Sequence, residues 1–148
     1  MRQGRLLMPL TKRETAEAYL SYIAKNWDAQ VTEEYTRVFT PYTYLDNSKV
    51  EVFIDYRDGQ YFVNDAGDAV GACWTNGIDV TEPPWDSIVQ NIIKTLHVSF
   101  DAGIIEQAAT KETLGEAMFD VISAIHAVTG LCYCRGLVGQ PHGITIPG

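Results

Sequence analysis

The sequence predicts a single α+β domain in which antiparallel hairpins pack against three main helices. Two patterns carry this prediction: hydrophobic residues recur at every second position over residues 49–56, and at helical spacing over residues 85–96 and 114–128. Strand patterns and helix patterns also do not alternate strictly along the chain, which favours α+β over a doubly wound parallel sheet. We place the domain at residues 1–134 and a flexible tail, rich in Gly and Pro, at residues 135–148.

The first predicted element is a helix over residues 11–28. Thr11 and Glu14 have the spacing of a capping box, in which each side chain bonds the backbone N–H of the other residue. One face of this helix is apolar at helical spacing, and its residues are Tyr19, Leu20, Ile23 and Trp27. We expect this face to be buried.

Three strands are predicted next. The first covers residues 36–40, and we expect Pro41 and Asp46-Asn47 to end it. The second covers residues 49–56, where Val50, Val52, Ile54 and Tyr56 alternate with Lys49, Glu51, Phe53 and Asp55. Asp58-Gly59 then supplies a tight turn, because Gly accepts positive φ, and residues 60–64 return as the partner strand.

The second half of the chain is predicted to hold three helices and one hairpin. A short helix over residues 68–75 ends at Asn76-Gly77. A longer helix follows Pro83-Pro84, with an apolar stripe made of Trp85, Ile88, Val89, Ile92, Ile93 and Leu96. Residues 98–109 form a hairpin that turns at residues 101–103. The last helix covers residues 111–129, with a capping box at Thr113 and Glu116 and Gly130 as its end.

Composition excludes some classes of function. The 148 residues carry a net charge of −8 without a basic cluster, which disfavours direct binding to nucleic acid. The acidity serves either solubility or docking on a basic partner. Three cysteines, an odd number, indicate a reducing compartment, and no stretch has the length and apolar character of a membrane span. We therefore expect a cytoplasmic protein that does not contact a membrane.

The densest acidic group is Asp55, Asp58, Asp65 and Asp68, around the hairpin. Paired carboxylates can bind Mg²⁺ for phosphodiester cleavage, so a metal-dependent nuclease or hydrolase is one interpretation. Turn and cap preferences explain the same residues structurally, and we favour that interpretation. Cys132-x-Cys134 lacks a second ligand pair for zinc, and one of these cysteines is expected to pack as a small apolar group. We predict no catalytic residue, no metal and no cofactor.

Residues 35–133 resemble the domain-of-unknown-function 1828 family of bacteria, phages and prophages. The resemblance rests on Phe39-Thr40-Pro41-Tyr42, on the strand beginning at Val50, on Tyr61 to Gly67, and on Gly77-Ile78-Asp79. Where that family usually has Asp-Asp-Gly, this chain has Asp65-Ala66-Gly67. The resemblance implies a mobile-element context and supplies no catalytic residues.

These observations predict a phage or mobile-element protein that binds and inhibits a host protein without catalysis. We expect the partner to be a nucleic-acid-binding defence complex such as a CRISPR effector. The predicted contact residues are Asp55, Asp58, Tyr61, Asp65 and Asp68. Two alternatives remain open: the nuclease above, and a regulatory or structural module that forms homo-oligomers, including a homodimer, through a Tyr- and Trp-containing surface.

Overall fold

The computed structural model describes residues 8–134, and the predicted tail at residues 135–148 lies outside the described residues. The elements in chain order are α1 (Lys12–Lys25), β1 (Asp28–Val31), β2 (Tyr35–Thr43), β3 (Lys49–Arg57), β4 (Gln60–Asn64), α2 (Asp68–Thr75), α3 (Trp85–Thr95), β5 (Ser99–Asp101), β6 (Ile104–Ala109) and α4 (Leu114–Cys134). The six strands form one sheet in the order β1-β2-β3-β4-β6-β5, with every pair antiparallel. The predicted α+β fold is confirmed.

The helices cover one face of this sheet. Val50 and Val52 of β3, Val63 of β4 and Ile105 of β6 are fully buried on that face. Helix α4 lies over them and buries one side of its own, at Ala117, Val121, Ala124, Ile125 and Val128. Helices α2 and α3 pack against α4 and against the edge of the sheet at β6 and β5. The core is therefore a two-layer α/β sandwich with α4 at its centre.

Local signals in the sequence set several turns and caps. Asp58 and Gly59 both have positive φ, 53° and 76°, as a two-residue hairpin turn requires. At the predicted turn between β5 and β6, Ala102 and Gly103 likewise both have positive φ. The capping box of Thr11 and Glu14 is present at the start of α1, and α2 ends at Asn76 as predicted. Thr113, in contrast, exchanges hydrogen bonds with Thr110 where a capping box with Glu116 was expected.

Four elements differ from the prediction. Strand β2 continues through Pro41 to Thr43, because the register shifts there and the strand accommodates a residue without an N–H. Helix α4 passes through Gly130 to Cys134, since burial of Val128 and Cys132 holds its last turns. Strand β1 was not predicted, because four residues are too few for a periodic pattern to be distinctive, and all of them are exposed. Helix α1 ends at Lys25 and buries no residue, so its expected burial is wrong.

Cys132 does not pack as a free thiol. Its sulfur forms a disulfide with that of Cys73, which lies 59 residues earlier in the chain. The packing of α2 on α4 brings the two Cα atoms to 5.2 Å, within the usual range for a disulfide. The pairing was missed because it depends on contact between distant helices.

Helix α4 is long and apolar enough to cross a membrane by length and composition alone. In this structure it is the central helix of the core, with one side turned towards the sheet. The expectation that no stretch has the length and apolar character of a membrane span is therefore wrong for Leu114–Tyr133, one side of which is buried in the core.

Candidate functional site

Asp65 is a structural residue of the core. It is 0% exposed. Its carboxylate accepts three backbone N–H groups: Gly67 at 2.8 Å, Ala69 at 3.0 Å and Ile105 at 3.1 Å. Burial raises the pKa of Asp65, and these hydrogen bonds oppose that rise. The carboxylate thereby fastens the end of β4 to α2 and β6, and it does not reach the surface where a partner would bind.

Asp55 and Asp58 lie at the other end of the hairpin. The side chain of Asn64 donates a hydrogen bond to Asp55 at 3.0 Å, which joins β3 and β4. Asp58 is exposed in the turn, where its positive φ is the conformation that Asp tolerates well. Both residues are accessible from the side of the sheet that the helices do not cover.

Tyr61 and Asp68 occupy different surroundings. Tyr61 is half-buried on the helix side of β4, against the ring of Tyr56 at 5.2 Å between centroids. Asp68 is exposed at the first turn of α2. Partial burial and the nearby carboxylates of Asp65 and Glu51 raise the pKa of Asp68. The five predicted contact residues therefore do not form one patch.

Nearby, Tyr44 is 9% exposed, and its hydroxyl has no hydrogen-bond partner among the described residues. Burial raises the pKa of Tyr44, and the charges of Asp68 and Asp65 add to the effect. Tyr44 is therefore a core residue.

The carboxylates also do not assemble a metal centre. Within residues 8–134, no group of three or more His, Cys, Asp or Glu side chains is placed to hold a metal ion. Cys132 is bonded to Cys73, and the Nε2 atom of His126 lies 3.3 Å from the carbonyl oxygen of Thr43. Among the described residues the hairpin thus offers hydrogen-bonded carboxylates that no third potential ligand joins in a cluster.

The side of the sheet that no element within the described chain covers is the more substantial surface, and we call it the open sheet face. It consists of the strand residues that point away from α4, because side chains alternate between the two faces of a sheet. Four aromatic rings lie on it: Tyr35 and Phe39 on β2, Phe53 on β3 and Phe62 on β4. Phe39, Phe53 and Phe62 are half-buried by their neighbours on the same face.

Two arginines lie over phenylalanine rings of this face. The guanidinium of Arg37 lies 5.0 Å from the centre of the Phe39 ring, and that of Arg57 lies 4.0 Å from the centre of the Phe62 ring. Each arginine is also ion-paired, Arg37 with Glu51 at 2.8 Å and Arg57 with Glu106 at 2.7 Å. Stacked and paired in this way, the arginines are held in fixed positions.

After this pairing the open sheet face remains acidic. Arg37 and Arg57 are balanced by Glu51 and Glu106. The remaining charged residues of the face are Asp28, Asp55 and Asp101 against Lys49, with Asp58 in the adjoining turn. Asp28 and Asp101 are exposed at opposite edges of the sheet. The face therefore combines fixed aromatic and guanidinium groups with an excess of carboxylates.

The signal for this face was present in the sequence. The alternation in β3 separates Val50, Val52 and Ile54 from Glu51, Phe53 and Asp55, so it already marks one side as partly polar. Extending the same period of two to β2 and β4 would have added Arg37, Phe39 and Phe62. Their juxtaposition could not be predicted, because it depends on the register between strands.

Comparison with known proteins identifies a family. The family model for the domain of unknown function DUF1828 matches residues 40–128, which is more than half of the chain. That segment runs from the end of β2 to the last turns of α4 and includes both hairpins. No curated protein and no solved structure matches the chain. The chain belongs to the family of the domain of unknown function DUF1828.

Proposed function

We propose that this protein is a non-enzymatic binding protein of a phage or mobile element, and that it inhibits a host protein by docking on it. The open sheet face is the docking surface. The observation that carries this proposal is the pair of arginines fixed over phenylalanine rings on a face that has an excess of carboxylates. Aromatic residues and arginine are the residue types enriched at protein interfaces.

The partner's docking surface is basic. The protein carries a net charge of −8, and on the open sheet face Asp28, Asp55 and Asp101 outnumber Lys49. Opposite charge on the partner speeds association and excludes acidic competitors. A protein that binds nucleic acid through exposed Lys and Arg has such a surface, and a host defence complex such as a CRISPR effector is one of this class. Occupying that surface would block nucleic acid from it.

The contact set changes accordingly. Asp55 and Asp58 remain in it, because they are accessible from the open sheet face. Asp65 is removed because it is 0% exposed, and Tyr61 lies on the opposite side of β4. Asp68 is exposed at the start of α2. Its carboxylate lies close enough to Glu51 for the charge of Glu51 to raise the pKa of Asp68. It would contact a partner at the edge of the docking surface.

The test is a tagged pull-down from bacterial lysate, with and without nuclease treatment, read by mass spectrometry. The double variant Asp28→Lys, Asp101→Lys reverses two exposed charges at opposite edges of the open sheet face. The matched control, Glu82→Lys with Glu112→Lys, makes the same change in net charge in loops outside the sheet. We expect a stoichiometric, nuclease-resistant partner whose dissociation constant rises at least about tenfold with the first variant and is unchanged with the control.

Two results would contradict this proposal. One is equal loss of binding in both double variants, because that would mean that only the total charge matters. The other is metal-dependent turnover of a nucleic acid by the purified protein without a stable partner. Asp65→Ala would then be measured for loss of cleavage alongside its effect on folding.

A further inference from the structure

A second surface, on the helical side of the molecule, is apolar, in contrast to the charged open sheet face. An apolar groove of about 710 Å³ runs between α1 and α4. Its walls and floor are formed by Tyr19, Leu20, Ile23, Trp27, Tyr42, Met118, Phe119 and Ile122, together with Gly115, Ser123 and His126. None of these side chains is a carboxylate, a lysine or an arginine. The groove therefore lacks carboxylate, ammonium and guanidinium groups in a protein that is otherwise strongly acidic.

Helix α1 forms a wall of this groove that no other part of residues 8–134 covers. It has 14 residues and buries none of them. Its apolar side faces the groove, with Tyr19 55% exposed and Leu20 61% exposed. An isolated helix of roughly this length is marginal in water, and tertiary packing normally supplies the missing stability. The hydrogen bond between the hydroxyls of Tyr19 and Tyr42, at 2.6 Å, ties α1 to β2.

Phe119 forms a protruding ridge on the α4 side of the groove, opposite Leu20 on α1. It is 71% exposed on α4, one helical turn beyond Gly115. A small molecule inside the groove would leave the outward sides of Phe119 and Leu20 in water. A surface that covers both ridges and also fills the groove must be macromolecular. Apolar patches of this kind on soluble proteins usually mark such contacts.

We infer that the occupant is a second copy of this chain, which places its own α1 on α4 across a two-fold axis. Self-complementarity is the first reason. Each copy offers both protruding apolar side chains, Leu20 and Phe119, and a groove that can receive them. An isologous interface requires the same patch to provide both parts.

Charge is the second reason. Helix α1 carries Lys12, Arg13 and Lys25 against Glu14 and Glu17, and α4 carries Glu116 and Asp120 with no Lys or Arg between Leu114 and Cys134. Packing α1 of one copy on α4 of the other therefore brings a net positive helix to a net negative one. This pairing places opposite charges at the contact between two chains that each have a net charge of −8.

Area is the third reason. The exposed parts of Tyr19, Leu20 and Phe119 amount to roughly 300 Å². The groove floor and the polar residues that flank it on α1 and α4 raise this towards the roughly 500 Å² per partner above which a specific interface is expected. The dimer would be of modest affinity. It leaves both open sheet faces accessible, and its existence does not depend on the proposed function.

The test is sedimentation equilibrium of the purified full chain from about 1 to 200 μM, a range that covers modest affinities. The chain would carry Cys134→Ser to prevent disulfides between copies. We expect a mass approaching twice 16.5 kDa at the upper concentrations. Phe119→Glu removes a ridge, and Gly115→Glu places a carboxylate at a point where an added Cβ meets no atom within 4 Å. Each should raise the dimer dissociation constant at least about tenfold, because a charge must then be buried.

The matched control is Trp74→Glu, which changes an equally exposed aromatic residue, 67% exposed on α2, outside the groove. It should dimerise like the parent. A monomer of 16.5 kDa throughout the concentration range would overturn the inference. So would dimers that persist in both Phe119→Glu and Gly115→Glu, or that are lost equally in Trp74→Glu. Thermal unfolding of each variant shows that it is folded before its mass is interpreted.

Discussion

The two faces of the sheet are made from alternating residues of the same strands and have opposite roles. On the covered face, Val50, Val52 and Ile105 are fully buried under α4. On the open sheet face, aromatic rings remain half-exposed beneath ion-paired arginines. Neighbours in sequence thus contribute either to stability or to a surface available for binding. Candidate binding residues in this family should therefore be sought by the face of the sheet to which their strand position belongs, as well as by chemical type.

The sharpest test of this difference uses adjacent isoleucines in β6. Ile105 is 0% exposed and Ile104 is 37% exposed on the open sheet face. We expect Ile105→Ala to lower the free energy of unfolding by about 4 kcal/mol, because it leaves a cavity in the core. Ile104→Ala should cost under about 1 kcal/mol. Urea unfolding followed by circular dichroism measures both. Similar losses in the two variants would mean that the open sheet face is covered in solution.

A somewhat smaller contrast separates two aspartates of the hairpin. Asp65→Ala leaves the backbone N–H groups of Gly67, Ala69 and Ile105 without their acceptor and should cost about 3 kcal/mol. Asp55→Ala removes one hydrogen bond from the side chain of Asn64, at the open sheet face, and should cost about 1 kcal/mol or less. The same unfolding measurement applies. If Asp65→Ala hardly changes the free energy of unfolding, the carboxylate of Asp65 does not stabilise the contact of β4 with α2 and β6.

The parts of the fold that were predicted are those with a local cause. The turn at Asp58-Gly59, the end of α2 at Asn76 and the apolar stripe of α3 depend on residues close together in the chain. The wrong boundaries have distant causes. Burial against other elements carries α4 beyond Gly130, and a register shift with β3 carries β2 through Pro41.

The same distinction applies to the candidate site. Asp58 could be placed from its turn alone. The burial of Asp65 depends partly on Ile105, 40 residues later, and the disulfide depends on the packing of α2 on α4. The open sheet face itself requires the register of three strands, since Arg57 pairs with Glu106 across β4. Composition gave the acidity of the protein but not the face on which it would act.

Substitution of Asp68 has the smallest expected effect on stability. Carboxylates on both sides of the sheet affect the pKa of Asp68. Burial and the carboxylates of Asp65 and Glu51 raise its pKa in the folded protein. A raised pKa means that ionised Asp68 is less favourable in the folded state than in the unfolded chain. Its cost is therefore absent below the unfolded pKa, near pH 4, and develops as the pH rises through the folded value.

Asp68→Asn should consequently stabilise the protein at pH 7 and leave its stability unchanged at pH 3. Asp68 is exposed, so solvent screening limits the gain to a few tenths of a kcal/mol. Asp58→Asn removes the same charge from the hairpin turn, where Asn also tolerates positive φ, and controls for net charge. Thermal unfolding of both variants from pH 3 to pH 7 is the measurement. A gain for Asp68→Asn that is equally large at pH 3 would show that the carboxylates of Asp65 and Glu51 do not act on Asp68, and that the two sides of the sheet are electrostatically separate at this position.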